Sequence, residues 1–257
     1  MDELFARIVQ DTTRFNLGDE EYWGNIGHYF ANQGIIVVIV NHQLVHYDRG
    51  GDDSFQPEDT APVTYPAGAD DVQLAREWVY DNIRSAQFGN GSPEKVVLFG
   101  HSSGGAHIAM NLYAAGDPEQ TTGKPALFPP VAGVIYLSVP FWYDRTRPIR
   151  KQILQRYYGS DAEDVWGPRS ALGLFQRLPD DSPVLKEAFD AAVAFFNAYR
   201  ERSRPAGTNA IFHVLDKHNH LTNVLSIGSS DNAQALMLLD FIHSCTTSDW
   251  KKPELKL

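Results

Sequence analysis

Cysteine is almost missing from this 257-residue chain: Cys245 stands alone, so no disulfide can form within it. A lone cysteine in a late helical stretch reads as a small buried apolar residue, and the expected compartment is reducing and cytoplasmic. Positive charge is also scarce, with 22 Lys and Arg against 32 Asp and Glu and a formal net charge of −10. That balance argues against nucleic acid as a partner, because phosphate binding needs a clustered basic surface. Long apolar runs are lacking too. The longest, Ile35 to Val40, is far too short to span a bilayer. The start, Met1-Asp2-Glu3-Leu4-Phe5, has neither the basic opening nor the apolar stretch of a signal peptide. There is no internal repeat and no low-complexity tract.

What is present is the composition of a chain that buries a core, 43% hydrophobic and 21% charged. Its length suits a single α/β domain spanning 1–257. Short β-branched runs alternate with helical stretches, the pattern of a mostly parallel sheet flanked by helices. The strands expected are 35–40, 95–99, 131–137 and 209–215. Helices are expected from about Asp19 to Gly34, over 67–83, 106–115 and 184–202, and from Asp231 to Ser244. Between Pro140 and Pro179 the order loosens into short, aromatic-rich pieces, read as a small lid-like insertion.

The chemistry concentrates in Val96-Val97-Leu98-Phe99-Gly100-His101-Ser102-Ser103-Gly104-Gly105-Ala106. Gly100, Ser102 and Gly104 form G-x-S-x-G, preceded by a β-run and followed by an Ala-rich helix. Small neighbours let the backbone turn sharply and push the serine hydroxyl out over the helix N-terminus. There the amide N–H of Ser103 is placed to stabilise an oxyanion. A phosphate loop does not fit, since no Lys follows the glycines.

Such a serine needs a base. Phe212-His213-Val214-Leu215-Asp216-Lys217-His218-Asn219-His220-Leu221 offers three histidines. His213 falls inside a strand and reads as structural. His218 and His220 both lie in the following loop; His220 is preferred, because the apolar run after it would anchor that loop, with His218 as the alternative. H-x-H could also ligate a metal, but no third ligand cluster supports that, so no metal and no cofactor are expected.

These residues resemble α/β hydrolases of the hormone-sensitive-lipase and kynurenine-formamidase-like esterase group, from about Gly18 to Ile242. Gly18-Asp19, Tyr22-Trp23 and Ile26-Gly27 are similar to the group's first helix. Val40-Asn41-His42-Gln43-Leu44-Val45 resembles its N-Y-R-L strand end, and Tyr65-Pro66-Ala67-Gly68-Ala69-Asp70-Asp71-Val72 its F-P-A-x-x-x-D segment. Tyr157-Tyr158-Gly159-Ser160-Asp161 also looks familiar. Lys217-His218-Asn219-His220-Leu221 resembles the G-H-N-H-I loop and favours His220 as base.

Two departures stand beside the likeness. Where the group carries H-G-G after an opening strand, this chain holds about Asp11-Thr12-Thr13-Arg14, with no glycine before Gly18 and no evident β-run ahead of the slot. The first strands therefore look absent. The group's acid follows a strand, yet Leu178-Pro179-Asp180-Asp181-Ser182-Pro183 runs almost straight into a helix. Asp181 is the best match for the acid and Asp180 the second. The same residues also suit a plain helix cap, Ser182 before Pro183. The resemblance implies a serine hydrolase that cleaves a carboxylic ester or small amide through an acyl-enzyme, using Ser102, His220 and Asp181. An aryl formamidase is one alternative. A catalytically impaired or non-catalytic relative is another.

Overall fold

The computed structural model describes residues 5–12, 23–43, 45, 62–117, 119, 128–146, 148–180, 182, 215, 218–231 and 233–247. Four strands form one parallel sheet: β1 (Phe5–Thr12), β2 (Ile36–Val40), β3 (Ser92–His101) and β4 (Gly133–Leu137), in the order β2-β1-β3-β4. Helix α1 (Gly24–Ala31) joins β1 to β2, and α2 (Ala67–Asn82) precedes β3. Helix α3 (Ser102–Leu112) leaves β3 without a spacer. Three short helices follow β4: α4 (Pro148–Tyr158), α5 (Glu163–Trp166) and α6 (Ala171–Gln176). The chain closes through α7 (Thr222–Leu225) and α8 (Ala233–Thr246).

Strand residues alternate between the two faces, so a sheet covered on both sides needs apolar residues at every position. β3 and β4 meet that need. Val96, Leu98, Val134 and Tyr136 join one buried cluster with residues of α2, α3 and α4 to α6. Val97, Phe99, Ile135 and Leu137 join a second with residues of α1, α7 and α8. Phe99, Leu98 and Val134 are fully buried; burying side chains of this kind contributes roughly 1.5–3 kcal/mol each.

The opening of the chain corrects one expectation. Residues 5–12 are a strand, and it lies inside the sheet between β2 and β3. Its sequence, Phe-Ala-Arg-Ile-Val-Gln-Asp-Thr, hides this, because Ile8-Val9 is its only consecutive β-branched pair. The pairing Asp11↔His101 brings the end of this strand alongside the residue that precedes Ser102. Thr13 and Arg14 lie outside the described residues.

Other boundaries shift slightly. α2 and β3 are found where expected, α3 begins four residues early at Ser102, and α8 covers the closing helix. The chain turns at Gly34, whose φ of +79° falls in the left-handed region. From Arg177 to Asp180 the chain makes turns and no strand. The expected strand 209–215 (Leu215 apart) and the helix 184–202 fall outside the described residues.

Candidate active site

The turn from β3 into α3 is built by close packing. Ser102 has a φ of +53°, a conformation that non-glycine residues rarely hold and that persists where the surroundings enforce it. The enforcement is visible in the glycines. A Cβ on Gly100 would lie 2.3 Å from the Gly105 Cα, and one on Gly105 would lie 2.1 Å from Val139 Cγ2. Gly105, one residue past the G-x-S-x-G motif, thus provides a close approach of its own to the strand that leads into Ser102. The result is a serine only partly covered, standing at the first turn of an eleven-residue helix with Ser103 next to it.

Across from it comes the loop before α7. The side-chain Nε2 of His220 lies 2.9 Å from Ser102 Oγ, and His220 is exposed. Ser102 and His220 are thus brought together from 118 positions apart. His218 is not aimed the same way. Its Nε2 sits 3.6 Å from the Asp231 carboxylate just ahead of α8, and its side chain is largely covered. Of the two acid candidates, Asp180 is exposed on a turn, and Asp181 lies outside the described residues.

Residues inside the histidine loop and others far from it in sequence hold it in place. Asn219 Oδ1 accepts the amides of Leu221 and Thr222, each at 2.9 Å, while Thr222 Oγ1 accepts the Asn219 amide at 2.8 Å. This reciprocal cap fixes the entry to α7. Asn25 of α1 donates through Nδ2 to the carbonyls of Val224 (3.2 Å) and Ile227 (3.0 Å). Asn223 donates to Ser138 Oγ at 2.5 Å, and Ser138, at the end of β4, also has a left-handed φ of +53°. The partners from α1 and β4 depend on tertiary placement that sequence spacing does not encode.

Trp142 and Tyr143 pack on Trp166 at centroid distances of 4.7 and 5.5 Å. A cavity of about 270 Å³ lies between Tyr65, Tyr157, Tyr158 and the Glu119–Arg169 ion pair, and neither Ser102 nor His220 lines it. Among the described residues, no group of three or more His, Cys, Asp or Glu is placed to hold a metal ion. No helix among them is long and apolar enough to cross a membrane.

A sheet running β2-β1-β3-β4, a strained serine at a strand-to-helix turn and an imidazole in contact with its hydroxyl agree with the match to the family model described as the alpha/beta hydrolase family, over residues 21–244. The chain belongs to the alpha/beta hydrolase family. Within it, this chain is 37% identical over 92 residues to Lipase 1 of Geotrichum candidum, covering 36% of this chain and 15% of that one. It is 38% identical over 117 residues to Carboxylesterase patB of Penicillium expansum, covering 46% and 18%. The chain thus spans less than a fifth of either relative's length. Its fold is that of esterase B from Lactobacillus rhamnosis, with a TM-score of 0.67, 14% identity, and coverage of 95% of this chain and 77% of that one.

Proposed function

We propose that this hydrolase is a serine carboxylesterase whose nucleophile is Ser102 and whose general base is His220. The observation that carries the reading is the 2.9 Å approach of His220 Nε2 to the hydroxyl of a serine held at a φ of +53°. A neutral imidazole with its lone pair on Nε2 accepts the hydroxyl proton as the oxygen attacks an ester carbonyl. The carbonyl oxygen then takes up negative charge at the mouth of α3, where the Ser103 amide and the helix dipole favour it. His220 returns its proton to the departing alkoxide, leaving an acyl-serine. A water deprotonated by the same imidazole releases the carboxylic acid and restores the hydroxyl. Nucleophile, base and proton all return to their starting states, so the cycle balances without a cofactor. Asp181 is the acid of this reading, orienting the Nδ1–H of His220, with Asp180 as the alternative.

Kinship to a lipase and a carboxylesterase supports an ester as the substrate class. The test is turnover of p-nitrophenyl acetate and butyrate by wild type and Ser102→Ala, alongside labelling with a fluorophosphonate probe. Wild type should hydrolyse both esters and take the label. Ser102→Ala should lose at least about 10³-fold in kcat and remain unlabelled. Equal rates in the two proteins would refute the reading.

A further inference from the structure

We infer that His101, the residue between the first glycine and the serine of the motif, is a positioning residue that ties the base-bearing loop to the nucleophile turn. The inference rests on the serine–histidine pair proposed above. His101 is fully buried, and its Nε2 lies 2.7 Å from the backbone carbonyl oxygen of His220. A carbonyl can only accept, so His101 Nε2 carries a proton and donates it. The two imidazoles also lie against each other, with centroids 4.8 Å apart and planes inclined at 37°. The His101 ring also meets Trp23, with centroids 5.9 Å apart.

The connectivity gives this bond its consequence. His101 is joined covalently to Ser102, and its ring reaches the main chain of the residue whose own ring reaches the Ser102 hydroxyl. Two hydrogen bonds and one peptide bond therefore close a small ring between segments far apart in sequence. Other tethers hold the loop on either side, through Asn219 and through Asn25 to Val224 and Ile227. His101 grips the base residue itself. Without that grip the His220 side chain could still exist in the loop, yet its distance to the hydroxyl would no longer be set. A misplacement of about 1 Å costs on the order of 10²-fold in rate. A buried histidine left without its acceptor would also be unfavourable, which explains why the ring and the loop dock together.

The experiment compares wild type, His101→Gln and His101→Leu by hydrogen–deuterium exchange of the 218–225 segment and by kcat and KM for p-nitrophenyl acetate. Glutamine places an amide donor about as far from the backbone as Nε2, while leucine keeps bulk and removes the donor. In His101→Leu the segment should exchange about 10-fold faster and kcat fall by about 10²-fold with KM little changed. His101→Gln should restore protection and most of the turnover. A folded His101→Leu with wild-type exchange and kcat would overturn the tether, as would equal losses in both variants. If His101→Leu does not fold, the nitrogen spectrum of isotopically labelled histidines in wild type decides. A slowly exchanging proton on His101 Nε2 supports the tether, and a proton carried by Nδ1 alone overturns it. Should wild type lack esterase activity while the segment still loosens in His101→Leu, the proposed function fails and the tether stands.

Discussion

Gly105 is one of the residues on which the turn carrying Ser102 closes. Because an added methyl would meet Val139 Cγ2 at 2.1 Å and the Gly100 carbonyl oxygen at 2.9 Å, both a side chain and a main-chain atom stand in its way. Forcing a methyl into a packed site of this kind costs about 1–3 kcal/mol, because backbone cannot swing aside as a flexible side chain can. Gly105→Ala should lower the urea midpoint accordingly. It should also reduce kcat, since the turn that must shift carries Ser102. Adding Val139→Ala removes the nearer obstacle and leaves the carbonyl, so the double variant should regain part of the lost midpoint but not all. Independent losses that simply add would show that the two residues are not in contact.

At the scale of elements, His220 sits on a loop stabilised from outside. α7 has only four residues, too few to hold itself, and Asn25 of α1 satisfies carbonyls at its end. Asn25→Asp keeps the shape and exchanges a donor for a carboxylate that faces carbonyl oxygens. The variant should be destabilised by about 1–3 kcal/mol at neutral pH. Its penalty has a definite sign with pH. Facing carbonyls raises the folded carboxyl's affinity for a proton above the unfolded value of about 3.9, so the penalty is full at high pH and shrinks as the carboxyl protonates. Urea midpoints of variant and wild type should draw together between pH 7 and pH 4.5; a constant gap would mean that Asn25 is not a donor to α7. These contacts also mark where sequence reading stops. β3, α2 and α8 were legible because their apolar periodicity matches what they bury, and the serine turn because small residues there have a local steric cause. β1 was not legible, since Arg7, Gln10 and Asp11 break its apolar run, and its place in the sheet comes from pairing on both sides. His220 was favoured by the apolar run behind it, whereas the roles of Asn25, Ser138 and Asn223 come from packing between elements.

For the whole molecule, the response to acid should be governed in part by histidines that the proposed catalysis does not use. His107, on the second turn of α3, packs between His42 and Tyr157, with ring centroids 4.8 and 5.7 Å away. Gly68 of α2 leaves room for its ring, since a Cβ there would lie 2.4 Å from His107 Nδ1. Burial, and then the neighbouring His42, hold His107 well below its ordinary value of 6.5. Burial also lowers His42, whose Nδ1 donates to the Gln43 carbonyl at 2.7 Å. Both rings are therefore neutral in the folded protein under conditions where the unfolded chain would begin to protonate them. The unfolded state binds more protons below about pH 6.5, so folding stability falls as the pH drops from there, by at most about 1.4 kcal/mol per pH unit for each ring. His107→Gln removes one such group while keeping a polar side chain of comparable reach. Measured by urea unfolding from pH 7.5 to pH 5, wild type should lose more stability on acidification than His107→Gln, and the two curves should converge toward low pH. Parallel curves would show that His107 titrates as freely in the folded protein as in the unfolded one, and that the packing of α2, α3 and α4 around it does not set the acid limit of the fold.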